Sequence, residues 1–284
     1  MAKILKTFAD PRKLQKWCAA RRQAGRKVAL VPTMGYLHEG HLSLIAAAKR
    51  KGADEIVVSV FVNPVQFGPN EDYEKYPRDE KADLAKCRMA GATAVFFPPP
   101  ANMYLDGHST FIIEETLAAG LCGARRPGHF RGVCTVVAKL FNIVHPHLAV
   151  FGQKDFQQAA VIRRMVRDLN FDVEIAVAPI VREPSGLARS SRNTYLSDDE
   201  RARAVALSQS LARAKADIAA KGKMPWRTYR ARIVKALEKA GLVVDYVEAV
   251  DAETLVPVKS LLKGVAVLLA VWCGKTRLID NAVM

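Results

Sequence analysis

Between residues 27 and 177, five short apolar runs alternate with helical stretches, and this alternation constrains the fold more than any other feature of the sequence. The runs are Lys27–Pro32 (KVALVP), Glu55–Val62, Ala94–Phe97, Leu148–Phe151 and Val173–Val177. Each is four to eight residues long and rich in β-branched or aromatic side chains, as expected of strands covered on both faces. Helical patterns fill the gaps at Gly40–Lys49, Asp79–Met89, Gly132–Val144 and Asp155–Leu169; Gly91 closes the second of them. Strand, helix, strand at this spacing predicts an α/β fold with a Rossmann-like, doubly wound parallel sheet. Ligands of such sheets bind beyond the carboxyl ends of the strands. That rule directs attention to Thr33–His41, Asn63–Arg78 and Gly152–Gln158.

The pattern changes after residue 182. Ser197-Asp-Asp-Glu200 predicts a capped long helix reaching Lys221-Gly222, followed by a second helix over Pro225–Ala240. Val243–Val250, Gly264–Trp272 and Thr276–Ile279 read as strands. The expected organisation is a nucleotide-binding domain over residues 1–182 and a smaller α+β lid domain over 183–284, joined by a loop around Glu183–Asn193.

The chain has 284 residues and 43 Lys+Arg against 28 Asp+Glu, a net charge of +15. So basic a balance raises the question of nucleic acid. The charge is spread along the chain, however, and an aromatic content of 7% is low for a base-stacking surface. No nucleic-acid partner is expected. Met1–Asp10 carries Lys3 and Lys6 but no apolar stretch of the kind a secretory signal needs, and Val265–Trp272 is far shorter than a membrane span. The five cysteines form no Cys-x-x-Cys pair and read as reduced structural thiols in a cytoplasmic protein.

The sharpest chemical signal follows the first of the five runs: Met34-Gly35-Tyr36-Leu37-His38-Glu39-Gly40-His41. Two histidines three apart at a helix start share one face. The unpaired N–H groups of a helix N-terminus suit a polyphosphate, and imidazole N–H donors suit charge building at an attacked α-phosphorus. The other reading is a pair of ordinary surface histidines or half a zinc site. In the interdomain loop, Arg189-Ser190-Ser191-Arg192 offers two hydroxyls flanked by guanidinium groups, fit to grip phosphates.

The first segment resembles the His-x-Gly-His signature of the nucleotidyl-transferase superfamily, and the second resembles that superfamily's mobile phosphate-binding element. Phe61–Phe67 (FVNPVQF), Arg126–Val133 (RPGHFRGV), Phe151–Gln158 (FGQKDFQQ) and Asp280-Asn281 narrow the likeness to the pantothenate synthetases, over essentially the whole chain. The resemblance implies an amide-forming ligase that converts ATP, pantoate and β-alanine to pantothenate through pantoyl-adenylate, releasing AMP and pyrophosphate. It implies ATP contacts from Met34 to His41, from Gly152, Gln153, Lys154 and Asp155, and from Val181 and Arg189 to Arg192. Gln66 and Gln158 would hold pantoate, and His41 would be general acid, with His38 and Lys154 also catalytic. Mg²⁺ is expected as the ATP counterion, with Asp83 contacting it through water. A homodimer is expected, as is closure of the second domain over ATP.

Two positions depart from the family pattern. Arg189 replaces a hydrophobic residue and adds charge beside the expected phosphates, and Gln153 replaces a glutamate that would have paired with Lys154. Other features take plainer readings. His145-Pro-His147 marks a strand entry, Lys49-Arg50-Lys51 a solvated helix end, and Trp226 and Trp272 packing. Asp155 is either a helix cap or a ribose contact. His129 and Arg131 either line the site entrance or fix a loop. The rivals are a superfamily enzyme acting on a phosphorylated substrate and an RNA-binding module descended from a tRNA synthetase.

Overall fold

A computed structural model describes residues 4–69 and 71–284. Lys3 of the N-terminal stretch, and Asn70 within the Asn63–Arg78 loop, lie outside the described residues. The chain divides into two compact units. The first runs to Gly152 and resumes over Val161–Ala178; the second comprises Gln153–Ala160 and Pro179–Met284.

In the first unit the elements follow as β1 (Lys6–Phe8), α1 (Pro11–Gln23), β2 (Val28–Thr33), α2 (Glu39–Arg50), β3 (Glu55–Val60) and α3 (Glu80–Ala90). Then come β4 (Ala94–Phe96), α4 (Pro100–Met103), α5 (Leu121–Arg125), α6 (His129–Val144), β5 (Leu148–Gly152), α7 (Phe156–Asp168, entered through residues of the second unit) and β6 (Glu174–Ala178). The strands form one six-stranded sheet in the order β1-β4-β3-β2-β5-β6, every pairing parallel. The doubly wound Rossmann-like sheet expected from the alternation is present, with β1 as an extra edge strand and α1 as an extra helix.

Both sheet faces are covered, which is why the strands read as apolar runs rather than alternating ones. Leu44, Ile45 and Ala48 of α2 pack with Val31, Ile56, Val58 and Val150 on one face. Each fully buried leucine or isoleucine contributes about 1.5–3 kcal/mol. Leu14 and Cys18 of α1 and most of α6 are buried as well. Local signals set the boundaries. Asp79 caps α3 by accepting from Ala82 N, and Gly91 closes it in the left-handed conformation. His145 ends α6, and His147 exchanges hydrogen bonds with Val28, through its Nδ1 and its backbone N–H, at the start of β5. The His-Pro-His segment is therefore a strand entry. Lys49 and Arg50 lie in the last turn of α2.

The strand order reverses at β2, whose neighbours are β3 and β5. β2 and β5 pair only at Ala29↔Leu148 and Leu30↔Ala149. Beyond those residues the two strands run on to Thr33 and Gly152 without pairing to each other. The sheet thus opens at the switch point, where its carboxyl ends present a crevice.

In the second unit, α8 (Asp198–Ala204) and α9 (Ala206–Lys221) are followed by β7 (Lys223–Pro225), α10 (Trp226–Lys239), β8 (Val243–Asp251), β9 (Ser260–Leu262), β10 (Val265–Cys273) and β11 (Thr276–Val283). β8, β10 and β11 form an antiparallel sheet, and β7 and β9 a small ribbon. Leu207, Leu211, Trp226, Ile233 and Leu237 pack with Val265, Val267, Leu269 and Val271.

The structure corrects three expectations here. The long helix is broken at Val205, which separates α8 from α9. The last strand runs past Ile279 to Val283 and so includes Asp280 and Asn281. Trp272, next to last in β10, is 42% exposed and is not a packing residue: it lies in register with exposed Val243 at the end of β8, while its neighbours Val271 and Cys273 are buried. All five cysteines are free and buried, and burial pushes the Cys18, Cys87 and Cys134 thiols up to about 12. No helix among the described residues is long and apolar enough to cross a membrane.

Candidate active site

In the first unit, β2 delivers the chain into the Met34–His38 loop and α2 leaves from it. Gly35 makes this turn possible. Its φ is +85°, and a Cβ there would sit 2.8 Å from Val60 Cγ1 and 3.0 Å from Asp83 Oδ2. Asp83 Oδ2 accepts the Tyr36 N–H at 2.8 Å, and Oδ1 accepts that of Leu37 at 2.7 Å. Lys86 Nζ donates to Leu37 O at 2.7 Å and lies 5.9 Å over the Tyr36 ring. Two side chains of α3 thus clamp three backbone groups of the loop.

This differs from the place expected for Asp83. Its carboxylate is 1% exposed with both oxygens occupied by backbone donors, so it does not face water that a cation could share. Burial pushes its pKa up, the Leu37 and Tyr36 N–H groups and Lys86 pull it back, and it stays raised. Among the described residues no group of three or more His, Cys, Asp or Glu side chains could hold a metal ion.

His38 caps α2. Its Nδ1 accepts the Gly40 N–H at 3.1 Å, while His41 Nδ1 accepts the His38 N–H at 3.3 Å. The rings lie 4.1 Å apart. A ring nitrogen that accepts carries no hydrogen, so in the neutral form both imidazoles are held as the Nε2–H tautomer. The local sequence thereby converts two histidines into two oriented donors at a helix N-terminus, where the macrodipole already favours an anion.

The Asn63–Arg78 stretch carries Gln66 in a short 3₁₀ turn, Pro64–Gln66. Gln66 is nearly buried. Its Oε1 accepts from Asn63 Nδ2 at 3.1 Å, and its Nε2 lies 3.2 Å from Met34 Sδ. Asn63 Nδ2 also reaches Gly132 O at 3.1 Å, and Tyr104 Oη donates to Asn63 Oδ1 at 2.8 Å. Burial pushes the Tyr104 phenol up to about 12, against the pull of the Asn63 bond, so it stays a donor at neutral pH. Below the turn, His129 Nδ1 donates to Gln66 O at 2.9 Å, and Arg126 bonds His129 Nε2 at 3.0 Å and grips Glu71 at 2.8 and 2.5 Å. His129 therefore fixes the Gln66 loop, whereas Arg131 is exposed with its guanidinium 4.2 Å from the Phe111 ring. α6 meets the turn at Gly132, where an added Cβ would lie 2.6 Å from Gln66 Cα, Gln66 N and Val65 O.

In the second unit, Gln153–Asp155 form a 3₁₀ turn before α7. Lys154 is half-buried and its ammonium has no carboxylate partner among the described residues. Asp155 is exposed, and Gln158 is half-buried on α7. The segment from Val181 folds back on itself, with Arg189 N donating to Val181 O at 2.9 Å. Ser190 then opens the turn Ser191–Tyr195, its Oγ accepting from Arg192 N at 3.3 Å, which leaves its hydroxyl hydrogen to donate. Ser191 is buried.

Glu183 anchors this segment. It accepts from Arg201 Nη1 at 2.7 and 2.8 Å and from Asn193 Nδ2 at 2.9 Å, and Arg189 Nη1 lies 3.6 Å away. Burial raises its pKa, the Asn193 and Arg201 hydrogen bonds outweigh that, and it ends lowered. The extra charge expected of Arg189 is thus partly answered by Glu183. Arg126 lies in the RPGHFRGV motif, but Tyr104, Glu71, Lys86, Glu183 and Arg201 had no site signal in the sequence, because each acts on a partner through the fold rather than through a local pattern.

A parallel sheet that opens at its switch point, with two oriented imidazole donors on the helix leaving β2, defines the class: Rossmann-like α/β proteins built to handle a nucleotide. The family model for pantoate-beta-alanine ligase matches residues 6–283. The chain belongs to that family, and is accordingly a carbon–nitrogen ligase that forms an amide. The pantothenate synthetase of Anaeromyxobacter dehalogenans (strain 2CP-C) is 56% identical over 280 residues, covering 96% of each chain. That of Myxococcus xanthus (strain DK1622) is 52% identical over 281 residues, covering 98% of this chain and 94% of the relative. Among solved structures, pantothenate synthetase from Thermus thermophilus superposes with a TM-score of 0.87 at 44% identity, covering 98% and 99% of the two chains. The pantoate-beta-alanine ligase of Francisella tularensis, solved with beta-gamma ATP and beta-alanine, gives 0.81 at 31% identity over 99% and 98%.

Proposed function

We propose that this chain makes pantothenate in two steps. The pantoate carboxylate attacks the α-phosphorus of ATP and expels pyrophosphate, leaving pantoyl-adenylate. The β-alanine amine then attacks the acyl carbon, loses a proton and expels AMP. The observation that carries this reading is that the Nδ1 atoms of His38 and His41 each accept a backbone N–H at the N-terminus of α2, which leaves Nε2 of each neutral ring to carry the donor hydrogen. Charge accumulates on phosphoryl oxygens in the first step and on the leaving group in both, and preoriented donors stabilise such charge without reorganising. The general-acid role that the resemblance gives His41 would require the ring to take up a proton on Nδ1 and give up the His38 N–H bond; in the neutral form His41 and His38 are both donors through Nε2.

ATP is assigned to Met34–His41, Gly152–Asp155, Val181 and Arg189–Arg192. Lys154, with no competing carboxylate, supplies a compact cation to the phosphates, and the Ser190 hydroxyl and Arg192 supply donors. Pantoate, which carries a carboxylate and two hydroxyls, is assigned to Gln66 and Gln158, since an amide both donates and accepts. Mg²⁺ would be held by the triphosphate and water rather than by a protein cage, in keeping with the lack of a carboxylate cluster among the described residues and with its habits elsewhere; it would neutralise phosphate charge. Residues 183–284 are proposed to act as a lid and the enzyme as a homodimer, both carried by resemblance. Five buried free thiols support a reducing compartment such as the cytoplasm.

The test is product identity. With ATP, Mg²⁺, pantoate and β-alanine all present, one AMP should form per pantothenate, and omission of either organic substrate should abolish pantothenate. Formation of ADP and phosphate instead would contradict the reading.

A further inference from the structure

We propose that Asp280 and Asn281, adjacent on β11, are positioning residues for ATP: Asn281 holds the turn that carries Lys154, and Asp280 holds the hairpin that leads into Arg189–Arg192. The inference rests on the nucleotide assignment above and adds to it two residues that touch no substrate.

Asn281 commits its whole amide to one segment. Nδ2 donates to Gln153 O at 3.0 Å and to Lys154 O at 2.9 Å, while Oδ1 accepts from Gln153 Nε2 at 3.3 Å. Two consecutive carbonyls pinned by one amide fix the peptide planes around Lys154, and with them the direction in which its side chain departs. The Gln153 amide N–H suits this arrangement, whereas a glutamate at 153 would have no hydrogen to give Oδ1.

Asp280 acts on the other segment. Its oxygens accept both arms of Arg182 at 2.7 and 2.9 Å, the fork geometry that guanidinium and carboxylate share. Arg182 also donates to Gly186 O at 3.1 Å, and the bridge between Arg182 and Ala188 with the Arg189–Val181 bond closes the hairpin. The Asp280 side chain is 2% exposed and accepts the Asn281 N–H at 2.8 Å, which couples the two grips. The mount is stiff: Asp280 and Asn281 are in register with Leu269 and Leu268 of β10, both buried. Successive strand residues face opposite ways, so one dipeptide can reach two separate segments.

Misplacement of a charge-stabilising group by about 1 Å can cost 10²-fold in rate. In the full-length enzyme, Asn281→Ala and Asn281→Asp are expected to lower kcat/KM for ATP about 10- to 100-fold, the latter because a carboxylate would face two carbonyl oxygens. Asp280→Asn, which keeps one acceptor for Arg182, should cost less. The KM for β-alanine should stay within about twofold in all three, a split that simple loss of stability would not produce. Circular dichroism and the thermal midpoint report the folded fraction. An ATP-side kcat/KM within twofold of wild type in any folded Asn281 variant overturns the inference, as does a loss shared equally with β-alanine. Should both Asn281 variants fail to fold, an unchanged kcat/KM for ATP in Asp280→Asn overturns it. Wild-type enzyme run alongside separates the two levels: no ATP-dependent amide formation by wild type would overturn the proposed function itself.

Discussion

Exchange of His41 for alanine is expected to lower kcat by about 10²-fold or more, with a much smaller change in KM for pantoate. Two jobs are assigned to the imidazole. On the proposed reading Nε2–H donates to the phosphate, and in the structure Nδ1 accepts the His38 N–H at 3.3 Å. Only the first concerns the reacting phosphate, and a factor of 10² corresponds to about 2.7 kcal/mol of transition-state stabilisation. Loss of the second removes one neutral hydrogen bond, worth about 0.5–1.5 kcal/mol, so the thermal midpoint should fall only slightly. Steady-state kinetics with a thermal scan on the same preparation separates the two. Turnover within a few-fold of wild type would show that His41 is a cap and nothing more.

Gly132→Ala is expected to damage both stability and pantoate use. The added Cβ would lie 2.6 Å from Gln66 Cα, Gln66 N and Val65 O, all backbone atoms, so no side chain can rotate aside. α6 would have to withdraw from the 3₁₀ turn, which also lengthens the 3.1 Å bond from Asn63 Nδ2 to Gly132 O. Overpacking of this kind costs about 1–3 kcal/mol or more. Because Asn63 also holds Gln66 Oε1, the KM for pantoate should rise about tenfold or more and that for ATP much less. Urea unfolding and the two KM values check this. An unchanged midpoint with an unchanged pantoate KM would mean that the close approach at Gly132 positions nothing.

The sequence discloses those parts of the molecule that depend on local pattern. β2 to β5 are near-continuous apolar runs because both sheet faces are covered there, and Asp79, Gly91 and Ser197 mark helix ends through their own backbone bonds. The His38–His41 pair is legible because its meaning lies in four consecutive residues after a strand. β1 is three residues at a sheet edge, too short to show a period. The helix break at Val205 has no Gly or Pro to announce it. Asp83 illustrates the deeper limit: an exposed-looking acid on α3 turns out to be a buried clamp on a loop 46 residues earlier. Glu71 with Arg126, Glu183 with Arg201 and Asp280 with Arg182 are of the same kind. Each is a charge pair separated in sequence by between 18 and 98 residues, which only the fold brings together.

Isotope exchange tests the two-step account most directly. Enzyme, ATP, Mg²⁺ and pantoate are incubated with labelled pyrophosphate and no β-alanine, and label entering ATP is followed. Reversible adenylate formation predicts exchange that depends on pantoate and is lost in the His41→Ala protein. An enzyme that ligates pantoate to β-alanine at its normal rate, yet moves no label in the absence of the amine, would contradict the account.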